Sequence, residues 1–190
     1  MALHLITGHL DENHITAENQ GALNTEIFGV SNFAFEHGRD FESAKISNNL
    51  VRIYDGMGMF EGRQFELETG DYEDITVENG EQNLARRDLI VARYVKDNET
   101  AVETISFEII KGTASVTPVR PAYNDGSIIA GDSTVDFPLY EVYIDGLEIQ
   151  EITALFEVRD GIDETLSEIT DAKIDEWWGE TLQDGDEMEF

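Results

Sequence analysis

The chain has no cysteine, and that absence excludes disulfide stapling, thiolate-held metals and cysteine nucleophiles together. Positive charge is also scarce. Twelve Lys and Arg stand against 41 Asp and Glu in 190 residues, a formal charge of -29 with a pI near 4.1. A field of that sign repels phosphate backbones and anionic lipid, which argues against nucleic acid and membrane surfaces as partners and favours accumulated cations. No window reaches the roughly 18 apolar residues expected of a membrane-spanning helix. The opening Met1-Ala-Leu-His-Leu-Ile-Thr-Gly-His9 has neither Lys nor Arg and no long apolar run, unlike a secretory signal. Folding and assembly in a cytosol is the expectation.

Motifs of catalysis are missing as well. There is no Gly-x-Ser-x-Gly elbow and no Walker loop. Asp55-Gly-Met-Gly-Met-Phe-Glu-Gly62 spaces two glycines as Gly-x-Gly but lies between strand-like runs, so a tight β connection explains it better than a phosphate cradle. Close carboxylate pairs are frequent because acids are frequent, and no flanking motif singles one out. Asp132-Ser-Thr-Val-Asp136 and Asp184-Gly-Asp-Glu-Met-Glu189 offer oxygen ligands for weak calcium or other cation binding, but neither matches the EF-hand loop. His9 and His14, with His4 nearby, form the densest imidazole cluster. Zinc needs three or four ligands at recognisable spacing, so loop hydrogen bonding or packing at a subunit boundary is the expected use. No catalytic, cofactor or metal residue is therefore assigned. Arg86-Arg87, beside Asp88, reads as an internal salt bridge rather than an anion site.

What is present is β pattern. Residues 1–30 read as a short strand and then a helix, capped by Thr16 and stopped by Gly29, with Leu23 and Ile27 on one face. Residues 31–158 read as a β-sandwich. Branched and aromatic runs occur at Leu50–Tyr54, Phe65–Glu68, Tyr72–Val77, Asp88–Val95, Val102–Ile110, Phe137–Ile144 and Ala154–Val158. Turn signals separate them at Asp55-Gly56, Glu61-Gly62, Asn79-Gly80, Asp97-Asn98, Asp125-Gly126 and Asp145-Gly146. Many short strands at such spacing argue for a sandwich or barrel, here taken as jelly-roll-like. The stretch from Gly112 to Val135, with Pro118 and Pro121, is a long excursion.

Residues 159–190 change character. Between 160 and 190 there are twelve acids and one base, Lys173, and Ile162, Leu166, Ile169, Ile174 and Trp177 suggest a helix over about 163–182. Trp177-Trp178 holds both tryptophans, and adjacent indoles on a helix cannot share one face. One should meet its own domain and the other a partner, or both cap the core. Trp177, Trp178, Ile169, Leu166, His9 and His14 are thus the interface candidates.

Seven strings carry a resemblance: Leu3-His-Leu-Ile-Thr-Gly-His9, His14-Ile-Thr-Ala-Glu18, Gly62-Arg-Gln-Phe65, Tyr72-Glu-Asp-Ile-Thr-Val-Glu-Asn-Gly80, Arg87-Asp-Leu-Ile-Val-Ala-Arg-Tyr94, Ile110-Lys-Gly-Thr113 and Pro138-Leu-Tyr-Glu-Val-Tyr-Ile144. In these and in their order, the chain resembles phage and prophage tail proteins of Gram-positive hosts. It is similar to the amino-terminal attachment, or shoulder, part of trimeric receptor-binding proteins and tail fibres. The resemblance implies a β-sandwich anchoring a host-recognition device in the virion tail, a homotrimer, other tail or baseplate proteins as partners, and a host cell-surface saccharide as a further one. It implies no catalytic residues. The departure comes after residue 158, where an acidic helix stands in place of a neck and head, leaving an adaptor, a connector or one subunit of a compound tip as expectations. The rival class is carbohydrate-active. A binding module would show exposed aromatics on one face, and a depolymerase two carboxylates about 5–5.5 Å or 6.5–9.5 Å apart in a groove.

Overall fold

A computed structural model describes residues 15–161, 166–167 and 169–174; the expected amino-terminal strand, His4, His9, His14, Trp177, Trp178 and the acidic run 184–189 lie outside them. The chain divides into two compact units, Met1–Val158 and Arg159–Phe190. In the second, residues 166–167 and 169–174 are helical, within the span where a helix was expected. The first is mainly β, two sheets with one short helix, as the strand pattern predicts.

Helix α1 (Ala17–Phe28) begins where Thr16 places it. The Thr16 hydroxyl accepts from the Asn19 N–H at 3.2 Å and the Asn19 side chain accepts from the Thr16 N–H at 3.2 Å, a reciprocal capping box. Gly29, at φ +83°, ends it.

The first sheet contains β1 (Phe33–Phe35), β2 (Ser43–Ser47), β3 (Leu50–Phe60), β4 (Arg63–Thr76) and β9 (Val158–Arg159). Strand β4 pairs along the whole of β3, while β2 and β1 pair with its first and second halves on the other side. The second sheet is β6-β5-β7-β8, from β5 (Ala85–Lys96), β6 (Glu103–Ile110), β7 (Thr134–Asp145) and β8 (Glu148–Ala154). β2–β3, β3–β4, β5–β6 and β7–β8 are hairpins, β1 and β7 reach their partners β3 and β5 through longer connections, and the chain changes sheets between β4 and β5 and between β8 and β9. The expected tight turns at Glu61-Gly62 and Asp145-Gly146 close β3–β4 and β7–β8.

Three expectations are corrected. Asp55-Gly56 is not a turn: β3 runs through it, bulged, and the Asp55 carbonyl accepts from Arg39 and Phe41 at 3.2 and 3.1 Å. The bulge lets Phe41 enter the core against Gly56, where a Cβ would stand 2.5 Å from the Phe41 nitrogen. Phe65–Glu68 and Tyr72–Val77 are one strand, because pairing steps from Gly56↔Leu67 to Tyr54↔Tyr72 across a bulge that includes Gly70 at φ +89°. Ala154–Val158 is not a strand: β8 ends at Ala154, and Phe156 turns inward to meet Tyr140 edge-on at 5.5 Å.

The core lies between the sheets. Val51, Ile53, Phe60 and Ile75 face Ile90, Ala92, Phe137 and Val142, with Phe60 and Phe137 in contact at 5.6 Å. Each large side chain so buried stabilises the fold by roughly 1.5–3 kcal/mol. The Tyr140 hydroxyl crosses the core to donate to the Phe41 carbonyl at 2.7 Å, and burial pushes that phenol up to about 12.

The outer face of the second sheet is covered too. Leu89 and Val91 point away from the core yet are fully buried. The excursion after β6 straps this face: Arg120 bonds Glu141 at 2.7 Å, Asn124 bonds Asp136 at 2.9 and 3.0 Å, and Ser115 pairs with Ala85. Glu141 also holds Arg87, and Asp136 holds Arg93 at 2.6 and 3.0 Å. Arg86 lies on the core side, bidentate to Asp88 at 2.8 and 2.9 Å, and donates to the Glu78 carbonyl. This is the internal salt bridge expected of that dipeptide.

Candidate functional site

Of the interface candidates, Leu166 and Ile169 fall among the described residues, both about half exposed. The Asp132–Asp136 stretch does not gather ligands. Asp132 accepts from the Ser127 N–H at 2.9 Å, whereas Asp136, 3% exposed, is committed to Arg93 and Asn124. Burial alone would raise Asp136, but Arg93 and Asn124 outweigh it and hold the carboxyl below its ordinary range. Among the described residues no three His, Asp or Glu converge as a metal site.

Two features that sequence reasoning missed do converge side chains. One is the outer face of the first sheet. Two-residue steps put Arg52 and Tyr54 on the outward side of β3 and Tyr72 and Asp74 on that of β4, and Tyr54 pairs directly with Tyr72. Arg52 lies 3.5 Å over the Tyr72 ring and is clamped by Asp74 at 2.7 and 2.8 Å; Arg39 lies 3.3 Å over Tyr54 and is held by Glu42. Tyr72 remains 51% exposed. The result is a row of alternating rings and guanidinium planes rimmed by carboxylates. The Arg-x-Tyr and Tyr-x-Asp spacings carried the signal, but the β4 bulge hides their registration in the sequence.

The other surrounds Arg63. Its guanidinium pairs with Glu103 at 2.9 and 3.2 Å, joining β4 to β6, and Lys96 approaches Glu103 at 3.8 Å and Glu18 of α1 at 3.3 Å. Its own helix-start amide, then Thr16 and Lys96, pull Glu18 down to about 2. Arg63 holds Glu103 low against its burial, with help from the Tyr94 hydroxyl, while burial and then Glu103 push Tyr94 up to about 12. Clefts of about 190 Å³ flank Arg63, one under α1 and one over Phe60, Phe65 and Ile105. Helix α1 sits close here: Asn24 donates to the Gly62 carbonyl at 2.8 Å, and a Cβ on Gly62 would stand 2.3 Å from the Gly21 carbonyl. The polar groups satisfy one another, an arrangement suited to fastening the helix. Outward, α1 shows Leu23, Ile27 and, just beyond it, Val30, each at least half exposed.

The fold and these surfaces define a small β-sandwich scaffold with a fastened helix, one strapped face and one face that no strap covers among the described residues. Neither a family profile nor a curated protein matches the chain.

Proposed function

We propose that the protein is a structural component of a phage tail tip or baseplate, anchoring or forming part of the host receptor-binding apparatus. The reading rests on the resemblance to that family of the ordered strings from Leu3–His9 to Pro138–Ile144. The sandwich supports it, since most of those strings fall on β4, β5 and β7, the strands that build both sheets. An exposed apolar row on a firmly seated helix is what an attachment module would offer a neighbour. In this reading the protein has no turnover, assembles in the host cytoplasm and works as a homotrimer in the virion. Gold-labelled antibody against the chain should decorate one end of the tail on particles released by the host. Intact tails without label would remove the reading, and light scattering should give about three times 21.4 kDa.

A second reading has its own observation. The Tyr54–Tyr72 face offers an open ring beside hydrogen-bonding Arg52 and Asp74, the combination that suits a saccharide-binding module. Host cell-wall polysaccharide should then bind the wild-type chain, and Tyr72→Ala should weaken binding about tenfold, near 1.4 kcal/mol. Equal retention of both proteins would eliminate it.

A further inference from the structure

Among the described residues, strand β6 is an open edge. It pairs with β5 in unbroken register from Leu89↔Ile110 to Lys96↔Glu103, and the sheet order puts no strand on its other side. Among the described residues, no backbone group on that side of Glu103–Ile110 has a hydrogen-bond partner. Such an edge is a template for another strand, and proteins ordinarily blunt it with proline, lysine, a bulge or a covering segment. Glu103-Thr-Ile-Ser-Phe-Glu-Ile-Ile110 has no proline, no lysine and no bulge. The opposite edge of the same sheet differs: β8 shifts register against β7, and Lys45 reaches over to donate to the Ile149 carbonyl at 2.6 Å.

The side chains of β6 specify what would fit. Ile105, Phe107 and Ile109 point toward the sandwich interior but lie at its rim, Ile105 at 37% exposure and the other two only partly buried. Thr104, Ser106 and Glu108 point outward. An added strand would cover the first row with apolar side chains and set its alternate residues beside the second. Charge selects among strands. Glu103 is held by Arg63, whereas Glu108 makes no ion pair among the described residues and lies near enough to the exposed Glu73 of β4 to act on its charge. A second copy would bring its own Glu103 and Glu108 and a further charge of -29 to this edge. The complement is basic.

We infer that β6 accepts, as an added strand of the second sheet, an extended segment of another protein in which apolar and basic residues alternate. Backbone bonds supply the affinity, the rim row the apolar pockets, and Glu108 with nearby Glu73 the selection by charge. The inference does not depend on the tail reading.

The test titrates the full chain with a peptide of alternating valine and lysine, matched to the eight residues of β6, with a valine–glutamate peptide as control. Two further forms of the valine–lysine peptide carry N-methyl groups, each on the alternate residues that the other leaves bare. The valine–lysine peptide should bind and slow amide exchange within residues 103–110, the glutamate peptide should not bind, and one N-methylated form should lose about tenfold or more in affinity while the other keeps it. The double variant Ser106→Lys, Glu108→Lys should weaken the valine–lysine peptide by about tenfold with an unchanged melting profile. Absence of binding, equal binding of both N-methylated forms, protection confined to another strand, or a dimer of this chain joined through 103–110 would each overturn the inference.

Discussion

At the scale of single residues, the buried Arg86–Asp88 pair is the most consequential. Both side chains are almost fully shielded from water, and Asp88 also accepts from the Gly112 N–H at 2.8 Å, so the pair ties the start of β5 to the chain leaving β6. Removing one partner leaves an unpaired buried charge. Asp88→Ala should therefore cost about 3–5 kcal/mol, whereas the joint change Arg86→Met, Asp88→Leu should cost markedly less. Urea midpoints of the three proteins check this, and equal losses would mean the ion pair acts by shape alone. The pairing was legible in the sequence, because Arg-x-Asp on a strand puts both side chains on one face. Asp136 and Glu141 were not. Their partners Arg93, Arg120 and Asn124 come from separate segments, and nothing local marks an acid that will be straddled by a strap.

Among the elements, what could be read in advance followed locality. The α1 cap and stop, the hairpin turns and the long apolar runs of β5 and β7 depend on neighbours in sequence, and they appear where expected. The failures at Asp55-Gly56 and at the β4 bulge have one cause: a glycine beside an acid marks either a reversal or a bulge, and only the tertiary approach of Phe41 or the facing strand decides which. The short polar β2 carried no pattern to find. The seating of α1 was likewise hidden, since Leu23 and Ile27 face solvent, its contact with the β3–β4 turn is made by Gly21 and Asn24, and Phe28 packs on Phe33 and Phe35 of β1. That contact is breakable. Gly62→Ala places a Cβ at φ +81° against the Gly21 carbonyl, a strain of about 1–3 kcal/mol. Amide exchange should accelerate through residues 17–28 while β5 and β7 keep their protection. Unchanged exchange in α1 would show that the helix holds by other contacts.

For the whole molecule, the excess of acid sets opposing trends in pH. As pH falls from 7, partial neutralisation relieves self-repulsion, and Glu73, raised by desolvation and then by Glu108, gains as it takes up a proton. Glu103, Asp136 and Glu141 work the other way. Their carboxyls are lower in the folded chain than in the unfolded one, so their contribution is full above an unfolded value of about 4 and is lost as pH falls through the folded values. Thermal midpoints should pass through a maximum near about pH 5 and drop below about 4. A midpoint still rising at about pH 3 would mean these ion pairs contribute little.

The strap over the second sheet is pinned at Ser115 and again from Arg120 to Asn124, but Val116 and Val119 between the pins are 85% and 72% exposed. A cut there would part the covalent chain without parting the fold. With a protease site inserted after Val116, the cleaved protein should elute as one particle and separate into two pieces only in denaturant. The two halves, made apart, should then find each other through complementation of the sandwich, turning a surface connection into a switch for reassembly.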